Sequence, residues 1–150
     1  MALNEEVELL KKIPLFANVE SAKLKLLAFT SDRLVFQPGQ TLFCQGEIGD
    51  AAYLILSGEA IITIDGPEGS LEFARVRDHE IVGEIAILCD VPRTATITAE
   101  GELIVLRISK DLFFRLIEEF PQMAIEIMRE LAQRLDQSNA RLQAAYADKS

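Results

Sequence analysis

The stretch Val82-Gly83-Glu84-Ile85-Ala86-Ile87-Leu88-Cys89-Asp90-Val91-Pro92-Arg93-Thr94-Ala95-Thr96-Ile97 constrains this chain more than any other. Gly83 removes a side chain where backbone must come close to something. Glu84 opens one or two helical turns whose apolar residues, Ile85, Ala86, Ile87 and Leu88, can lie on a core. The first amides of such a helix have no partner inside it and sit at the positive end of its dipole, so they suit an anion. Asp90, Val91 and Pro92 end the helix and return the chain, which brings Arg93, Thr94 and Ala95 back beside the helix start. A guanidinium facing free amides is a phosphate site. Glu84 would repel a bare phosphate, so its expected role is to accept hydrogen bonds from neighbouring sugar hydroxyls. Phosphate and ribose held in so short a cassette point to a compact nucleotide. Taken alone, Arg93 also reads as a structural arginine paired with a core carboxylate, and Glu84 as a helix cap.

The rest of the chain supplies a scaffold in order. Glu5 to Ile13 has helical spacing, with Val7, Leu10 and Ile13 on one side, and Pro14 stops it. Leu15-Phe16 forms an apolar anchor, and Ser21 is the expected cap of a second short helix with Leu24, Leu27 and Ala28 on one face. Both helices are expected to pack on the strands that follow. From Asp32 to Ile108 the period changes: Leu34 and Phe36 alternate with polar residues, and Pro38-Gly39 turns the chain. Strands are expected at Thr41 to Cys44, Ala52 to Leu56, Glu59 to Asp65, Leu71 to Arg77, Thr94 to Ala99 and Glu102 to Arg107. Gly66-Pro67-Glu68-Gly69 is a hairpin tip. Short strands with glycine turns at this spacing read as a jelly roll. Ser109 caps a helix through Ile117, and Pro121 begins another that runs to about Tyr146. On that last helix Met128, Leu131, Leu135, Ser138, Leu142 and Ala145 make a narrow stripe of the coiled-coil kind, weakened by Ser138.

Composition removes several function classes. With 150 residues and 49% hydrophobic content the chain suits one compact domain over residues 1–150, its helices near 5–28 and 109–146 flanking strands near 32–108. The formal charge of −9 is the wrong sign for a nucleic-acid footprint or an anionic lipid surface. No long uncharged apolar run encodes a membrane span. The acidic Met1 to Glu6 lacks the basic-then-apolar pattern of a secretory signal, so a cytoplasmic location is expected. Cys44 and Cys89 lie in no metal or redox spacing and are expected to be buried, reduced thiols. One histidine, no nucleophile elbow and no clustered metal ligands leave no catalytic constellation and no metal site.

The run Gly83-Glu84-Ile85-Ala86 with Pro92-Arg93-Thr94-Ala95 resembles the phosphate-binding cassette of cyclic nucleotide-binding domains. Such domains occur in protein kinase A regulatory subunits, cyclic nucleotide-gated channels and the bacterial catabolite activator. Phe36-Gln37-Pro38-Gly39-Gln40 and Gln45-Gly46-Glu47 through Tyr53-Leu54-Ile55-Leu56-Ser57-Gly58-Glu59 resemble the first strands and turns of that family's β-roll. The resemblance implies an α+β fold: a β-roll with flanking N-terminal helices, a short cassette helix and C-terminal helices. It implies that Gly83, Glu84, Ile85, Ala86, Arg93, Thr94 and Ala95 bind cyclic AMP or cyclic GMP, without a metal. Ala86 and Thr94 would contribute backbone amides.

Thr94 leaves the base open, because relatives of both selectivities carry a hydroxyl there. An arginine that helps guanine recognition in some relatives would fall at Ala74, which leans the choice to cyclic AMP. Met128, Leu131 and Leu135 are expected to close over the base, with Arg134 able to stack on it. Output would then pass to an unidentified protein effector, or to self-association through the C-terminal helix. Val82 stands where the family usually has an aromatic and His79 where it often has glycine, which predicts looser packing and a strained turn. The alternatives are a regulatory fragment of a larger channel, kinase or transcription regulator, or a ligand-free module of the same fold. A helix-turn-helix reader is not expected, since no segment for it follows the last helix before Ser150.

Overall fold

The computed structural model describes the backbone of residues 3–13 and 16–149. Pro14 and Leu15 lie outside the described residues, as do the side chains of Arg134, Ser138, Leu142 and Ala145 on the last helix. Two helices open the chain, α1 (Leu3–Lys11) and α2 (Ser21–Thr30). Five strands follow: β1 (Asp32–Phe36), β2 (Thr41–Phe43), β3 (Ala51–Ser57), β4 (Ala60–Gly66) and β5 (Gly69–Val76). Then come β6 (Ile81–Val82), the cassette helix α3 (Glu84–Cys89), β7 (Thr96–Ala99), β8 (Leu103–Ser109), α4 (Lys110–Glu119) and α5 (Pro121–Lys149).

The strands form two four-stranded sheets, ordered β1-β8-β3-β6 and β2-β7-β4-β5, and every pairing is antiparallel. Neighbours in each sheet are mostly distant in sequence, which is the winding of a jelly roll rather than a meander. Between the sheets lies a core of Tyr53, Ile55, Val76, Val82, Ile97, Leu103 and Val105, with Leu34 and Phe36 packed at its margin. The alternation of Leu34 and Phe36 in β1 therefore aims inward, as its period of two requires. Val82 is fully buried here.

A second core lies on the other face of the first sheet. Ala52, Leu54, Leu56, Leu106 and Ile108 meet Val7, Leu10, Ile13, Leu24 and Leu27 from the N-terminal helices and Phe113, Leu116, Met123 and Ile127 from the C-terminal ones. β3 thus feeds both cores from alternate residues, which explains why Ala51 to Leu56 is apolar without interruption. Each fully buried leucine or isoleucine contributes about 1.5–3 kcal/mol. The helical layer is therefore held by burial and not by local helix propensity.

Two local expectations fare differently. Ser109 does cap α4, its side-chain oxygen accepting from the Leu112 amide at 3.3 Å. Ser21 does not cap α2: Glu20 occupies the N-cap with no side-chain bond, and Ser21 is the first helical residue. The turn closed by the Val19 amide on the Phe16 carbonyl delivers the chain one residue early. His79 does hold a left-handed backbone, at φ 73°. Its amide is satisfied by the Ile55 carbonyl at 2.7 Å, so pairing to β3 offsets the conformational strain.

The two cysteines correct the sequence reading, because both are exposed. Cys44 follows β2 into the loop before β3, and Cys89 is the last residue of the six-residue α3. Neither position lies between packed layers.

Candidate functional site

β6 is only two residues long, yet it sets the site. Val82 pairs with Tyr53, so Gly83 emerges directly against β3. Gly83 has φ 83°, and a Cβ there would lie 2.6 Å from Arg93 Nη1 and 3.2 Å from Phe43 Cε2. The position is thus closed to a side chain by conformation and by space. α3 then runs six residues and ends on Asp90 in the left-handed region, whose amide donates back to the Ala86 carbonyl. So short a helix adds little dipole, and the cationic side chain must supply most of the attraction for an anion.

That cation is clasped on both sides. The Arg93 amide donates to the Glu47 carbonyl at 2.7 Å and its carbonyl accepts from the Gly46 amide at 2.8 Å, so the loop after β2 zips onto the end of the cassette. Nη1 donates to the Gly83 carbonyl at 2.8 Å and Nη2 to the Ala51 carbonyl at 2.8 Å. The guanidinium lies over the Phe43 ring, its Cζ 4.0 Å from the centroid. Gly49 abuts it as well: a Cβ there would come within 2.6 Å of Ala86 Cβ and 3.3 Å of Arg93 Cζ.

Arg93 is 4% exposed and Glu84 1% exposed, in a chain whose other buried side chains are apolar among the described residues. Burial lowers the pKa of the Arg93 guanidinium from its usual range. An arginine does not deprotonate in response. The buried charge instead favours an incoming anion. Asp50 does not supply one well: its Oδ1 is 4.0 Å from Nη2, its side chain is largely exposed, and its Oδ2 accepts from Arg107 at 2.9 Å. Arg93 Nε is buried with no hydrogen-bond partner.

Gly83, Glu84, Ile85, Ala86, Arg93, Thr94 and Ala95 all line one cavity of about 560 Å³. Phe43, Ile62, Ile64 and Phe73 form much of the remaining wall, so the polar groups gather at the cassette and the far side is apolar. Leu131 and Leu135 of α5 also line it. Met128 does not: it is 60% exposed, because α5 packs on the roll through Met123 and Ile127, and Met128 falls on another face. The Arg134 side chain lies outside the described residues. Phe43 and Gly49 were missed from sequence. The paired glycines of the 46–49 loop were a signal for the second, and nothing in the local sequence marked the first.

The family model of the cyclic nucleotide-binding domain matches residues 33–120, more than half of the chain. The chain belongs to that family. It is 39% identical over 108 residues to a cAMP-dependent protein kinase regulatory subunit of Yarrowia lipolytica, a match covering 72% of this chain and 28% of that one. This cyclic nucleotide-binding domain therefore spans under a third of that relative's length. Among solved structures it is similar to the sensor domain of the transcriptional regulator DNR from Pseudomonas aeruginosa, with TM-score 0.78, 25% identity, and 90% and 91% of the two chains covered. It is also similar to the Thermus thermophilus catabolite activator protein, with TM-score 0.76, 26% identity, and 87% and 62% covered.

Proposed function

We propose that the cavity binds a 3′,5′-cyclic nucleotide, with cyclic AMP favoured slightly over cyclic GMP. Binding would be relayed to an effector, or to a second copy of the chain, through α5. The observation that carries this reading is the buried Arg93 with its unpartnered Nε, facing no close counterion, in the same cavity as the buried Glu84. Arg93 takes the phosphodiester and Glu84 accepts from the ribose 2′-hydroxyl. The amides around Ala86, Thr94 and Ala95 complete the phosphate cradle, and Ile85 lines it. Residues 1–150 act as one non-catalytic binding domain on this reading, working inside the cell without nucleic acid or membrane as a partner. No helix among the described residues is long and apolar enough to cross a membrane.

The apolar wall supports this base preference. Ile62, Ile64, Phe73 and Leu135 offer a polar base edge no side-chain hydrogen-bond partner. Guanine has more polar groups than adenine on the edge away from the sugar. Thr94 offers one hydroxyl against this, and Ala74 offers none.

Calorimetry on ligand-stripped protein tests the proposal with cyclic AMP, cyclic GMP, linear AMP and 2′-deoxy cyclic AMP. Cyclic AMP should bind, cyclic GMP somewhat more weakly, and the linear and deoxy compounds much more weakly. Absence of heat with both cyclic nucleotides would overturn the reading.

The relay has its own expected result. Leu131 is half-buried at the cavity wall and Leu135 is 62% exposed at its mouth, so a bound purine would give both a surface to cover. Ligand shifts α5 only by its difference in affinity for the covered and uncovered states. Hydrogen exchange over residues 121–146 should slow when cyclic AMP is added, and removal of everything after Phe120 should weaken its binding. Unchanged exchange together with undiminished affinity would place the output elsewhere.

A further inference from the structure

Phe43 is the last residue of β2 and pairs with Ile97 of β7, so its ring is placed by a strand and not by the adjoining loop. The Arg93 guanidinium lies over that ring, its Cζ 4.0 Å from the centroid. Tyr53 stands behind, 5.7 Å from Phe43 between ring centroids and 5.9 Å from Arg93 Cζ. With both Nη atoms already bound to the Gly83 and Ala51 carbonyls, a ring against Cζ leaves the guanidinium little freedom to turn. We propose that Phe43 is a positioning residue for anion capture. Its ring holds Arg93 in the pose where Nε and a remaining Nη proton present a two-pronged donor to the phosphodiester. The inference rests on the phosphate role proposed for Arg93.

The physical reason lies in what an aromatic ring does to a cation and what it leaves alone. The ring quadrupole attracts the guanidinium across its face, whereas an aliphatic side chain of like size only fills space. A carboxylate in the same place would also hold Arg93, but it would occupy the donors and cancel the charge that the phosphate needs. The ring orients and consumes neither. In the free protein, apparent affinity scales with the fraction of molecules whose binding groups are already in place. Loss of the ring lowers that fraction for Arg93 and weakens binding accordingly.

Phenylalanines bearing one, two and three fluorines, placed at position 43, test this directly. They drain the ring quadrupole and nearly keep its shape. Cyclic AMP affinity, read by calorimetry, should weaken stepwise with fluorine number, by about 2- to 30-fold at the trifluoro ring. Phe43→Leu should bind no better than the trifluoro variant. Thermal unfolding of each ligand-free protein reports its folding, and the nearly isosteric fluorinated rings carry the test even if the leucine variant fails to fold. A flat fluorine series in a protein that binds cyclic AMP would overturn the role of Phe43 and leave that of Arg93 standing. Failure of the parent protein to bind would overturn both.

Discussion

Replacing Arg93 with lysine is expected to weaken nucleotide binding almost as severely as replacing it with alanine. The guanidinium makes three contacts: Nη1 meets the Gly83 carbonyl, Nη2 meets the Ala51 carbonyl, and Cζ lies over the Phe43 ring. An ammonium is a point charge on a flexible stem and cannot reproduce that fork and ring contact together. It would satisfy one or two of these partners and leave the phosphate geometry unmade. Removing one member of a buried charge pair costs on the order of 2–5 kcal/mol, or about one and a half to four decades of affinity. Ligand-free stability should also fall, because the Gly83 and Ala51 carbonyls lose these donors. Calorimetry gives the affinities, and the ligand-induced rise in unfolding temperature should vanish in both variants. A lysine variant that binds within a few-fold of the parent would remove the phosphate role from Arg93.

Gly83→Ala is expected to damage the backbone and the cavity together. Its Cβ would enter 2.6 Å from Arg93 Nη1 and 3.2 Å from Phe43 Cε2, while the backbone stays at φ 83°. The left-handed backbone alone costs a residue with a side chain roughly 1–2 kcal/mol. The collision adds to this, and it would displace the Arg93 guanidinium. Gly39 separates the two effects, because it has φ 85° and nothing within 4 Å of a built Cβ. Gly39→Ala should therefore lose stability from backbone strain and keep its affinity for cyclic AMP. Gly83→Ala should lose both, with affinity down at least as far as in Arg93→Lys. Equal affinities in the two alanine variants would mean that the close approach at Gly83 does not matter to the ligand.

Much of this was legible along the chain, and the reason is locality. The turn at Gly83, the short helix behind Glu84, the hairpin tip at Gly66-Pro67-Glu68-Gly69 and the cap at Ser109 depend on residues within a few positions of each other. Chain chemistry at that range is set by backbone freedom, spacing and capping. β-strand periodicity worked for β1, whose outer face is partly open, and β3 showed its double burial as an unbroken apolar run. The two-residue β6 was invisible, since it exists only by pairing with Tyr53 and Leu54 some thirty residues earlier.

What local sequence could not decide was which face of each element would find a neighbour. Met128 and Leu135 share an apolar stripe with Leu131. Packing of Met123 and Ile127 turned α5 so that Leu131 and Leu135 line the cavity and Met128 does not. Cys44 and Cys89 look like core residues in sequence and stand exposed, because one follows a three-residue strand into a loop and the other ends a helix of one and a half turns. Phe43 is an ordinary strand phenylalanine until the return of the chain at Arg93, fifty residues later, lays a guanidinium on its ring. The turn at Gly83, the short helix after it and the period of the strands are legible in the sequence, since those follow from short-range chemistry. Tertiary contacts decide how Glu84 and Arg93 are buried, which ring lies against Arg93 and which face of α5 meets the cavity. Each of these is a contact between distant segments, and its energy exists only once both are in place.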